Sequence, residues 1–133
     1  MKQALWMLFP CIVMAGCNKE PGEGGKAEIR GRLLERQVFV SGVVAVGPYP
    51  VVGDNVYIVY GDGSEGQFPD DNVDSGPNGE FRFRWLRKGT YTIYAIGESY
   101  TTESGKVAVP ITVTVDDRKG VQEIGDLIID KIP

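Results

Sequence analysis

The sequence predicts an all-β fold: a single antiparallel β-sandwich of about seven strands. Three observations carry that reading. Segments with period-two alternation recur after residue 27, with β-branched and aromatic residues on the apolar side. Gly, Pro, Asn and Asp punctuate these segments at turn spacing. No window of ten or more residues combines a 3.6-residue period with good helix formers.

In chain order, residues 29–34 and 37–46 read as the early strands. Residues 55–60 (Asn-Val-Tyr-Ile-Val-Tyr) form the next, closed by the turn Gly61-Asp62-Gly63. Asn78-Gly79 is a type I′ turn signal, expected to lead a short preceding strand into the strand 80–86. Residues 80–86 and 90–96 should pair across the turn Arg87-Lys88-Gly89. Val107, Val109, Ile111, Val113 and Val115 alternate with Ala108, Pro110, Thr112 and Thr114, so the valines and Ile111 face inward. Pro110 has no N–H to give a ladder, which puts this strand at a sheet edge or on a bulge. Residues 124–129 supply the last strand.

The strand 80–86 carries the clearest core signal. Phe81 and Phe83 share one face, and Arg82 and Arg84 share the other. A buried aromatic removes about 150–250 Å² from water, which is worth on the order of 1.5–3 kcal/mol. Gly89 suits a turn that needs positive φ, after which Tyr91 and Ile93 return to the same core.

The first seventeen residues are organised differently. Lys2 precedes an apolar run over residues 4–15, and two small residues then precede Cys17, the layout of a secretory leader. The run is too short for a mature membrane span and holds Pro10 in its middle. Met14-Ala15-Gly16-Cys17 resembles the lipobox of bacterial lipoproteins, with Met14 where Leu is usual. The resemblance implies that Cys17 is diacylated and becomes the new N-terminus. Asn18 follows the cysteine where inner-membrane retention in enteric-type bacteria uses Asp, which favours the outer membrane. Residues 18–26, rich in Gly and polar residues, read as a flexible tether, and residues 27–133 as the sandwich domain.

Composition narrows the chemistry. The chain has 14 Lys+Arg against 18 Asp+Glu, a net charge of −4, and no basic stripe, which argues against nucleic acid as a partner. There is no histidine, so Ser-His-Asp and Cys-His catalysis and histidine zinc sites are excluded. Of the two cysteines, Cys11 lies in the leader and Cys17 is assigned to lipid, which leaves no disulfide framework. No phosphate-binding or dinucleotide fingerprint occurs in a strand–glycine–helix context, so no cofactor is expected.

Gly79-Glu80-Phe81-Arg82-Phe83-Arg84-Trp85-Leu86-Arg87-Lys88-Gly89-Thr90-Tyr91-Thr92-Ile93 is similar to the G-x-F-x-F-x-x-L-x-x-G-x-Y pattern of carboxypeptidase regulatory-like domains. These are transthyretin-like (prealbumin-like) sandwiches, close in fold to CNA-B and starch-binding-like modules. Residues 50–58 and 29–33 resemble two further strands of that pattern, whereas the apolar stretch 37–46 departs from it. The resemblance implies a fold and no chemistry, since the related transthyretin-like hydrolases depend on histidines.

Two places are candidate sites. Arg82 and Arg84 present planar donors side by side, and Trp85 follows them; Trp and Arg are the residues enriched in binding hot spots. Strict alternation puts Trp85 on the core face, while in the resembling domains Leu86 turns inward and leaves Trp85 at the sandwich end. An exposed Trp85 near Tyr94 or Tyr100 would suit a sugar ring. Asp62, Glu65, Asp70, Asp71, Asn72 and Asp74 are rich in oxygen ligands but lack calcium-loop spacing, so they read as solvated turn residues and no metal is expected. The expected protein is a non-catalytic, lipid-anchored module of the cell envelope that binds a protein partner or serves structurally, with carbohydrate binding as the alternative.

Overall fold

The computed structural model describes residues 20–63 and 68–133. The leader with Cys17, residues 18 and 19 of the tether, and Glu65 lie outside the described residues. Among the described residues there is no helix, and eight strands form two packed four-stranded sheets. They are β1 (Glu23–Val38), β2 (Val44–Pro50), β3 (Asn55–Tyr60), β4 (Asp71–Asp74), β5 (Glu80–Leu86), β6 (Gly89–Glu98), β7 (Lys106–Val115) and β8 (Val121–Lys131).

One sheet is organised by β1, whose sixteen residues are flanked along one edge by β8. Its other edge is shared end to end: β5 pairs with residues 23–32 and β2 with residues 34–38. Leu33 marks the junction, donating its N–H to Gly79 and accepting at its carbonyl from Val51. The second sheet has the order β4-β3-β6-β7. Inward side chains of both sheets, led by Ile29, Leu33, Phe83, Tyr91, Ile93 and Ile129, make one core. Gly31 leaves room for its cross-strand neighbour Phe81 in the same sheet, because a Cβ there would stand 2.7 Å from the Phe81 ring.

The all-β sandwich is therefore as expected, with eight strands rather than about seven, and several expectations need correction. It is not wholly antiparallel: β1 and β8 run parallel. After β7 the chain crosses back beside the start of β1, where Glu28 donates its N–H to Gly120, and β8 leaves from there in the same direction as β1. Residues 37–46 are not one strand; β1 runs on to Val38, a turn at 39–43 reverses the chain, and β2 begins at Val44. Residues 80–86 and 90–96 do not pair with each other, since β5 and β6 belong to opposite sheets. Asn78-Gly79 does not make a type I′ turn. Only Gly79 has positive φ, at 80°, and the Gly79 N–H bonds back to Gly76 across Pro77 and Asn78.

Residues 21–26 are no free tether. β1 starts at Glu23, and Gly25 lies so close to β5 that a Cβ would stand 2.0 Å from the Leu86 carbonyl oxygen. β7 is an edge strand, as Pro110 requires. Its expected parity holds, with Val113 and Val115 buried, Val109 and Ile111 half-buried, and Val107 emerging at the far end.

Candidate functional site

The outer face of the β1 sheet is a charged lattice. Register places Glu123, Arg30 and Arg82 in one row across β8, β1 and β5, and Asp126, Arg32 and Glu80 in the next. Glu28 sits between two arginines, bonded to Arg30 at 2.6 Å and to Arg84 at 3.1 Å. Arg82 faces Arg30 directly, a like-charge neighbour, and among the described residues it makes no ion pair. It lines a shallow cleft of about 770 Å³ whose rim carries both signs: Arg30, Arg32 and Arg82 against Asp74, Glu80, Glu123 and Asp126.

Trp85 is placed by a backbone irregularity. Phe83 pairs with Ile29 and Leu86 with Ala27, so Arg84 and Trp85 together oppose the single residue Glu28. This two-against-one count is a β-bulge. Trp85 occupies it with φ at 62°, the left-handed region that a bulky residue rarely adopts. The bulge moves Trp85 off the core face and restores Leu86 to it: Leu86 is buried and Trp85 is 64% exposed. Strict alternation therefore fails after Arg84, and the inward turn of Leu86 is what the structure has.

Arg84 and Trp85 share a second, smaller cleft with Lys26, Ala27, Glu28 and Val121. The three residues singled out in the sequence thus divide between two neighbouring clefts. Lys26 and Val121 had no signal in the sequence, the first because it lies in what reads as a tether. Among the described residues no aromatic cluster forms around Trp85. Tyr94 stacks on Tyr57 on the opposite sheet, with ring centres 5.1 Å apart, and burial raises the Tyr94 phenol pKa. The Tyr100 hydroxyl donates to the Val38 carbonyl, beside the β1–β2 turn.

The acidic stretch is built into structure rather than gathered. Asp71, Asn72 and Asp74 lie on the edge strand β4. Asp70 accepts the Tyr60 N–H, and Asp71 the N–H of Asn72. Among the described residues no three carboxylates converge as a metal site.

No family model matches this chain, and no curated protein matches it. Among solved structures it is similar to a "putative carbohydrate binding protein" from Pseudomonas aeruginosa. The two are 18% identical over 82% of this chain and 90% of that one, with a TM-score of 0.48. At that level of likeness nothing about a ligand transfers to this chain.

Proposed function

We propose that this chain is a non-catalytic, lipid-anchored module of the cell envelope, related to the carboxypeptidase regulatory-like sandwiches, that holds a protein partner at the Trp85 corner. The observation that carries the reading is the bulge. A large indole is kept in solvent by a left-handed backbone conformation, and such strain persists where the surrounding structure enforces it, often at binding surfaces. Trp85, Arg84 and Lys26 together offer apolar area and two cationic groups, the composition of an interaction hot spot. Anchoring through Cys17, in the outer membrane, rests on Met14-Ala15-Gly16-Cys17 followed by Asn18.

Carbohydrate is the second reading, favoured by the exposed face of a single indole with polar groups beside it. Protein ranks ahead because Arg84 and Glu28 already bond each other, which leaves few converging donors for a sugar. Crosslinking in cells and glycan arrays, each with wild type and Trp85→Ala, decide between them. A crosslinked protein lost in the variant supports the first reading, and sugar binding lost in the variant supports the second. If both ligands survive the substitution, this corner is not the site.

A further inference from the structure

The stretch that departs from the resembling pattern lies in the longest run of the chain without a charged side chain. Residues 37–53 carry no charged side chain, in a protein where 24% of residues are charged. They form the end of β1, the turn and β2, and they leave apolar groups in solvent: Phe39 is 49% exposed, Val40 78% and Val43 60%, with Val44 and Val46 beside them.

From these observations we infer that the β1–β2 hairpin tip is a membrane-inserting element that enters the interfacial zone of a lipid bilayer. The tip is convex, and its apolar groups point outward from a tight turn. A fluid lipid surface accepts such a shape, whereas a protein would need an apolar socket. A second copy of this chain offers none among the clefts described, since each is lined by charged residues, including a third formed by Lys88, Asp116, Asp117, Arg118 and Lys119. Strand addition along β2 is blunted by Pro48 and Pro50, which have no N–H to donate.

Part of the turn's backbone is satisfied internally, which lowers the cost of entering a medium poor in hydrogen bonds. Phe39 N–H donates to Val43 at 3.0 Å and Gly42 N–H to Phe39 at 2.8 Å, so the turn closes on itself, with Gly42 at positive φ. Behind the tip stands a polar collar suited to the headgroup region. Tyr100 donates to Val38, Tyr49 donates to Glu35 at 2.7 Å, Lys131 lies 3.5 Å from Glu35, and Arg36 pairs with Asp130. The inference rests on the proposed anchor only to bring the chain to a bilayer. β1 separates its N-terminal end from the tip by up to about 50 Å at roughly 3.3 Å per residue. Both ends meet one bilayer when β1 lies along its surface.

The test uses the protein expressed from the full sequence, leader included, then purified and reconstituted in phosphatidylcholine vesicles. A nitroxide is attached at Ser41→Cys in a Cys11→Ser background, with Asn72→Cys as a control on β4. Intact mass reports separately whether Cys17 carries lipid; where its thiol is free, Cys17→Ser is added so that only the introduced cysteine takes the label, and failure of the anchor is seen apart from failure of the tip. The expected result is a several-fold rise in accessibility of the position-41 label to oxygen over a water-soluble nickel chelate, with no change at position 72. Val40→Asp should return the label to water. A position-41 label that stays aqueous in the presence of vesicles overturns the inference, as does a label shielded by a crosslinked second copy of the chain instead of lipid.

Discussion

The Tyr91 hydroxyl accepts a hydrogen bond from the Gly22 N–H at 2.9 Å, joining residues 69 positions apart. The same hydroxyl donates to the Arg87 carbonyl at 2.6 Å, and the Arg87 N–H donates to the Gly22 carbonyl at 2.8 Å. Three residues thus close one knot at the end of the sandwich where the chain enters β1. It satisfies a phenol whose ring is fully buried, and it holds the segment from Pro21 onward against the β5–β6 connection. Pro21 seals the same place, since a Cβ on Gly89 would stand 2.5 Å from its ring.

Tyr91→Phe should therefore destabilise the protein by about 1–3 kcal/mol, the cost of leaving buried partners unpaired. It should also expose residues 20–26 to protease before the rest of the chain. Urea unfolding with limited proteolysis reads both. Unchanged stability with unchanged cleavage would show that the knot contributes nothing.

Phe83 lies 3% exposed between the sheets, its ring edge-on to Phe81 at 6.2 Å. Phe83→Ala should cost about 3–5 kcal/mol, the usual loss on emptying a core aromatic position. An unshifted urea midpoint would contradict the inward parity of β5.

Alkaline pH should weaken the fold. Burial, helped by Glu23, Asp71 and Asp70, pushes the Tyr60 phenol up to about 12, and burial raises Tyr91 as well. Both groups favour the neutral phenol in the native state, against an unfolded value of about 10. Their contribution is complete below pH 10 and is lost as pH rises towards 12. Urea midpoints at pH 9 and pH 11.5 should fall between the two, and Tyr60→Phe should flatten the fall. A midpoint that holds steady over this range removes the argument.

Much of the fold was legible because it rests on alternation. The spans of β3 and β5, and the edge position of β7, follow from Val56 and Ile58, from Phe81 and Phe83, and from Pro110. Alternation says which face a residue takes but not which strand it joins. Hence β5 and β6, adjacent in sequence and both turned towards one core, looked like a hairpin although they lie in opposite sheets. The site was legible only in part. Arg84 and Trp85 could be named, but the bulge that exposes Trp85 arises from long-range pairing with Ala27 and Ile29. Lys26 became part of the site only because Gly25 lets the chain press against Leu86.

Cys17→Ala should abolish acylation, on the strength of Met14-Ala15-Gly16-Cys17. Metabolic labelling with a clickable fatty acid checks it. Equal labelling of wild type and variant would remove the anchor from the functional reading.

Trp85 allows stability and binding to be separated. Its side chain is mostly in solvent, so truncation forfeits little burial, while its backbone lies in a region that costs a residue with a Cβ roughly 1–2 kcal/mol. Glycine escapes that cost but loses about 0.5–1 kcal/mol through greater freedom in the unfolded chain. Trp85→Gly should therefore be more stable than Trp85→Ala by up to about 1.5 kcal/mol, the difference between those two effects. Both variants should lose the ligand, because both lack the indole. A glycine variant that unfolds more readily than the alanine one would show that residue 85 is not left-handed in solution. A glycine variant that folds and keeps the wild-type partner would move the binding surface away from this corner, towards Arg82 and the larger cleft.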